Sequence, residues 1–199
     1  MKKILSLFLL IIGVSLAQDN DKYPENIPDE LKVFIETGTK VLDYKTADLN
    51  GDGKQDYLLI LEKQGLNSDS TEIETGQRPL LIIIRKNDNS LYEAKRNEKI
   101  VFCSTCGGVW GDPFESISAG VKTFTVNHFG GSNWRWTNSF KFNYSRIDNT
   151  WQLVKVEESS FHTSNPDKMK TKIYKPPKDF GKIDINDFDP DNFKNTGKK

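Results

Sequence analysis

Trp134-Arg135-Trp136-Thr137-Asn138-Ser139-Phe140-Lys141-Phe142-Asn143-Tyr144 is the stretch that decides the fold class. Trp134, Trp136, Phe140, Phe142 and Tyr144 share one parity; Arg135, Thr137, Ser139, Lys141 and Asn143 share the other. A period of two sends successive side chains to opposite faces of a strand. The stretch therefore predicts a half-buried antiparallel strand whose aromatic inner face includes both Trp. Before it, Lys122 to His128 has strand character, and Gly130-Gly131-Ser132-Asn133 supplies a turn. After it, Asp148-Asn149 turns the chain into Thr150 to Val156. Three such strands joined by short turns predict a meander.

The first half continues the pattern. Asp56 to Glu62 and Leu80 to Ile84 are apolar on both faces, which predicts central strands covered on both sides. Val41 to Ala47 is a further strand, and Asn87-Asp88-Asn89 is a hairpin turn into Leu91-Tyr92-Glu93-Ala94. Gly65 to Gln77 is polar and is expected to be a loop. Ile27 to Glu36 predicts a short helix: Pro28, Asp29 and Glu30 suit its start, Leu31, Phe34 and Ile35 share a face, and Gly38 is placed to end it. The expectation is an α+β chain that is mostly β, with antiparallel sheets and one short N-terminal helix. It forms a single β-rich domain over 18–185, which takes in the short segment Lys182 to Ile185, followed by a polar C-terminal tail over 186–199.

Residues 1–17 have the layout of a secretory signal peptide: Met1-Lys2-Lys3, an apolar run from Ile4 to Val14, then the small-residue site Ser15-Leu16-Ala17. The run is shorter than the roughly 20 residues needed to span a bilayer, and no second stretch is long enough. Cleavage is expected after Ala17, and the mature chain is expected to be secreted or periplasmic. No cysteine lies near that site to carry a lipid anchor. The chain has 28 basic and 28 acidic residues; losing Lys2 and Lys3 leaves 26 against 28, a formal charge of −2. That balance supplies no basic footprint for nucleic acid.

The most specific local signal is Asp48-Leu49-Asn50-Gly51-Asp52-Gly53-Lys54-Gln55-Asp56. Calcium takes six to eight oxygen ligands on a flexible loop. Asp48, Asn50, Asp52, Asp56 and the carbonyl of Lys54 are the expected set, with Gly51 and Gly53 permitting the tight curvature. An EF-hand needs Glu at the twelfth position, which is Leu59 here, and the flanks are strands. Asn-Gly and Asp-Gly are also ordinary hairpin signals. From about Thr46 to Leu61 the stretch resembles the calcium loop of FG-GAP (integrin-type propeller) repeats. A full propeller is not expected, because the motif occurs once and propellers need four or more blades.

Phe102-Cys103-Ser104-Thr105-Cys106-Gly107-Gly108-Val109-Trp110-Gly111-Asp112-Pro113-Phe114 is the second notable segment. Outside the cytosol its two cysteines predict a disulfide pinning a glycine-rich turn. A thioredoxin-type redox pair lacks the βαβ context. A zinc site built from Cys103, Cys106, His128 and His162 lacks the finger spacing. Trp110, Asp112, His128 and Arg135 are of types that suit a binding cleft for a glycan or peptide. Asp112 with Glu115 is the carboxylate pair a glycosidase reading would use. A serine-hydrolase set of Asp112, His128 and Ser132 has no nucleophile-elbow sequence.

Taken together, the Asp-x-Asn-Gly-Asp-Gly loop, Cys-Gly-Gly-x-x-Gly-Asp-Pro-Phe, His-x-Gly-Gly-Ser-x-x-Arg-Trp and Pro-Lys-Asp-Phe-Gly-Lys resemble a group of exported bacterial proteins with no established activity. The functional expectation is a non-enzymatic envelope or extracellular domain that uses calcium structurally and binds a protein or glycan partner. The alternatives are a periplasmic inhibitor or immunity protein, and an envelope polysaccharide or peptidoglycan hydrolase.

Overall fold

The computed structural model describes residues 24–64 and 76–196. The expected signal peptide and most of the expected loop over 65–77 lie outside the described residues. Within them the chain is mostly β, in two antiparallel sheets that form neither a closed barrel nor a propeller. The first sheet comprises β1 (Thr39–Ala47), β2 (Asp56–Lys63), β3 (Leu80–Arg85) and β4 (Leu91–Asn97), in that spatial order. The second comprises β5 (Phe114–Gly120), β6 (Thr123–Gly131), β7 (Trp134–Ser145), β8 (Thr150–His162) and β9 (Lys170–Tyr174), again in chain order. Both are meanders, with strands consecutive in the chain adjacent in the sheet.

The central position expected for the two all-apolar strands is found. From β2 and β3, alternate residues go to opposite sides. Leu58, Ile60, Leu80, Ile82 and Ile84 face the inter-sheet core with Phe124, Val126, Phe140, Phe142, Leu153 and Val156. Tyr57, Leu59, Leu61, Leu81 and Ile83 face the other side, where Leu31, Phe34 and Ile35 cover them. The N-terminal segment is thus a third layer. It is a 3-10 helix over Asp29–Phe34 rather than a helix over Ile27 to Glu36. A three-residue turn superposes Leu31 on Phe34, which suits one turn laid on a sheet face. Ile35 is already extended, and Gly38, at φ 78°, makes the turn into β1.

Two strands had no clear sequence signal. In β5 a register shift between Phe114 and Ser116 breaks the alternation. β9 is an edge strand, largely exposed, with lysines that discourage further pairing. Trp134 corrects an expectation. It has core parity yet is 63% exposed, its ring set against His162 at 5.2 Å. β7 and β8 run 12 and 13 residues, whereas the strands of the first sheet run 6 to 9. Trp134 stands at the overhanging end, while Phe140 and Phe142 lie under cover. Trp136, between them, is half-buried.

The C-terminal boundary is also corrected. Phe180, Ile183, Ile185, Phe188 and Phe193 are all buried in the inter-sheet core, so the segment expected as a tail from 186 carries core residues. Asn97 holds it. Its Nδ2 donates to the carbonyls of Ile185 (2.6 Å) and Phe188 (2.8 Å), and its Oδ1 accepts from the N–H of Lys99 and of Ile100. Asn97→Ala leaves these buried groups unpaired. It is expected to destabilise the fold by about 2 kcal/mol, measured as a lower urea midpoint at unchanged m.

Candidate functional site

Loop 48–56 joins β1 to β2, and its acids are held by the backbone they fold. Asp48 accepts from the N–H groups of Gly51 (2.7 Å), Asp52 (3.0 Å) and Gly53 (3.0 Å). Asn50 Oδ1 accepts from Asp52 N–H, and Asp52 Oδ1 from Lys54 N–H, both at 2.9 Å. Gly51 and Gly53 sit at φ 77° and 87°, which only glycine adopts without strain. Asp56 is fully buried and takes the N–H of Leu49 and of Arg85, each at 2.9 Å. Burial pushes its carboxyl above the usual range against those two hydrogen bonds, and the charges of Asp52 and Asp48 push the same way. Among the described residues, no three Asp, Glu, His or Cys side chains form a ready-made metal cluster.

The loop is also a clasp between the sheets. Leu49 is fully buried in the inter-sheet core, and its carbonyl accepts from Trp151 Nε1 at 2.9 Å. The carbonyl of Asp48 accepts from Lys122 N–H at 2.9 Å, in the β5–β6 turn. The Lys122 side chain lies over Gly51, so closely that a Cβ at Gly51 would fall 1.7 Å from Lys122 Cε. Glycine here meets two demands, a left-handed backbone and a close approach.

The four residues expected to line a cleft separate into two groups. Trp110 and Arg135 meet at the surface: the guanidinium lies 4.7 Å over the indole and donates to the Gly131 carbonyl at 2.9 Å. Trp110 also meets Phe129 edge-on at 4.9 Å. His128 belongs to the interior, and the half-buried Asp112 turns toward the buried Arg78. Asp112 accepts twice from Arg78, at 2.6 and 2.5 Å, and once from Phe114 N–H. The Arg78 side chain is fully buried and also pairs with Glu62, while Arg78 Nη1 donates to the Phe102 carbonyl at 3.0 Å. Burial works against its charge, but Asp112 and Glu62 outweigh that and hold the guanidinium above its ordinary value.

His128 is fully buried and stacks on Phe102 at 4.2 Å. Its Nε2 accepts from Phe102 N–H at 3.3 Å, which puts the proton on Nδ1; that atom has no hydrogen-bond partner among the described residues. Burial, with Arg78 adding to it, lowers its pKa to about 3, and Asp112 only partly opposes this. A neutral, enclosed imidazole cannot meet a substrate. Ser132 is in the exposed β6–β7 turn and Glu115 is exposed on β5.

Cys103 and Cys106 are joined, with S–S 2.05 Å. Their sulfurs are therefore not free to bind zinc with His128 and His162, and His162 Nδ1 is engaged with the Ser164 hydroxyl at 2.7 Å. So short a loop stabilises the fold by about 2 kcal/mol in the chain-entropy model. Cys103 and Cys106 both line a groove of about 360 Å³.

Compared with family models, with curated proteins and with solved structures, the chain matches none of them.

Arg78 is the functional-group hub that sequence reasoning missed. Its partners come from positions 62, 102 and 112, a spread that no local motif marks. The one available signal was charge at the edges of apolar strands: Glu62 near the end of β2, and Arg78-Pro79 just before β3.

Proposed function

We propose that this chain is an exported, non-enzymatic binding domain of the cell envelope or extracellular medium, stiffened by calcium in loop 48–56. The observation that carries the reading is the clasp: one acid-rich turn ties the β1–β2 hairpin to the second sheet. Asp48, Asn50, Asp52 and Asp56 would supply side-chain oxygens and Lys54 its carbonyl, in keeping with the FG-GAP-like spacing. Burial, and after it the charges of Asp52 and Asp48, raise the Asp56 carboxyl, and a divalent cation there would offset those like charges. Bound calcium supplies charge neutralisation there, and the chain's own residues supply the tie between sheets.

Export rests on the signal-like residues 1–17. Among the described residues no helix is long and apolar enough to cross a membrane. The burial of His128 and the pairing of Asp112 with Arg78 support a non-catalytic reading of the expected cleft. A protein or glycan partner fits the exposed side chains at that end, Val109, Trp110 and Trp134, with the half-buried Arg135 stacked on Trp110.

Melting of the mature chain tests the calcium reading. A ligand specific to the folded state stabilises it by about 2.7 kcal/mol at a hundredfold excess over Kd. The melting temperature is expected to fall on chelation and to recover with calcium more than with magnesium. Asp52→Ala is expected to abolish the response, and Asp167→Ala, in an exposed turn, to keep it. A melting curve indifferent to chelator and calcium would leave the loop a self-sufficient turn.

A further inference from the structure

We propose that the Cys103–Cys106 disulfide is a thiol–disulfide exchange site, attacked at Cys106 by a dithiol partner. The two cysteines are presented unequally: Cys106 is exposed and Cys103 half-buried. Both border the open groove, together with Arg78, Lys99, Phe102 and Asp189. Behind Cys103 the backbone is anchored, because Phe102 donates its N–H to His128 Nε2 at 3.3 Å and offers its carbonyl to Arg78 Nη1 at 3.0 Å. Cys103 is therefore held against the wall, and Cys106 is the more exposed residue of the pair.

The loop beyond the disulfide has its own ties. Gly107 N–H donates to the Gly111 carbonyl at 2.9 Å, and Gly131 N–H donates to the Gly107 carbonyl at 2.8 Å. Opening the S–S bond thus leaves the loop attached to β6, and exchange needs no unfolding. Thr105 Oγ1 lies 3.5 Å from Cys103 Sγ. A disulfide sulfur carries no proton, so the hydroxyl is the donor, and it is placed to stabilise a thiolate leaving from Cys103.

In the step, a thiolate of the partner attacks Cys106 Sγ. The Cys103–Cys106 bond breaks, and its electron pair leaves on Cys103 Sγ as a thiolate. The partner's second thiolate then attacks the partner's own sulfur in the mixed disulfide and displaces Cys106 as a thiolate. The partner dithiol ends as a disulfide, this chain ends as a dithiol, and the two thiol protons pass to Cys103 and Cys106. Exchange at an accessible disulfide depends on which sulfur is attacked and on the quality of the leaving thiolate.

The test uses the mature chain, with dithiothreitol and oxidised glutathione as probes. Without denaturant, dithiothreitol is expected to reduce the bond completely, at a rate within about tenfold of that for the free peptide 102–107, with the far-ultraviolet circular dichroism unchanged. Cys103→Ser, which leaves Cys106, is expected to form the glutathione mixed disulfide at least about tenfold faster than Cys106→Ser, which leaves Cys103. A bond that is reduced only in denaturant, or equal rates for the two variants, would overturn the proposal.

Discussion

Arg78→Leu is expected to destabilise the folded protein by about 3–5 kcal/mol, the range for removing one partner from a buried ion pair. The side chain is fully buried, and those of Glu62 and Asp112 are only 9% and 22% exposed. Removing the guanidinium leaves two carboxylates without their counter-charge, and the Phe102 carbonyl loses a donor. The loss should appear as a lower urea midpoint at unchanged m. Replacing the whole network is expected to be far milder than breaking it, since a buried ionic group exchanged for apolar side chains of similar volume is often neutral. Glu62→Leu with Arg78→Met and Asp112→Asn should therefore recover most of the stability; the Asn still accepts from Phe114 N–H. If Arg78→Leu alone unfolds within about 1 kcal/mol of the parent, Glu62 and Asp112 do not depend on the buried guanidinium for their charge.

Acidification is the second large effect, and His128 is its source. The folded-state pKa is about 3, and an unfolded His titrates near 6.5. Between those values the unfolded chain binds a proton that the folded chain refuses, so stability falls as pH falls. The contribution is intact above about pH 6.5, declines by roughly 1.4 kcal/mol per unit, and is spent near pH 3, a total of about 4–5 kcal/mol. The charged groups acting on the ring are Arg78, which opposes protonation, and Asp112, which favours it. His128→Phe keeps a ring among Phe102, Phe114 and Phe140 and cannot titrate. Its stability between pH 6.5 and 4.5 should fall by about 2.3 kcal/mol less than the parent's. Parallel pH profiles for the two proteins would mean that His128 is not kept neutral by its surroundings.

What was legible in advance followed from periodicity. Strands β1 to β4 and β6 to β8 each carry a run long enough for alternation, or for unbroken apolarity, to show. Loop 48–56 was visible as a turn because its glycines and acids are consecutive. Strand β5 was hidden by its bulge and β9 by its exposed edge position. Phe188 and Phe193 were hidden by company: each sits among polar residues, and a composition average over 186–199 conceals two buried rings.

The sequence by itself determined the all-antiparallel character, the two-sided burial of β2 and β3, and the pairing of near-neighbour cysteines. These depend on side chains a few residues apart, whose relative direction the backbone period dictates. Tertiary structure alone decided that Trp134 is exposed while Phe140 is covered, since parity gives the face and only the extent of the opposing sheet gives the cover. It alone decided that Asp112 serves Arg78 and not a cleft, and that His128 is sealed under Phe102. It alone placed Leu49 beneath Trp151, 102 positions away in the chain. Contacts across such separations depend on how two sheets stack, and stacking is a property of the whole set of buried faces rather than of any one stretch.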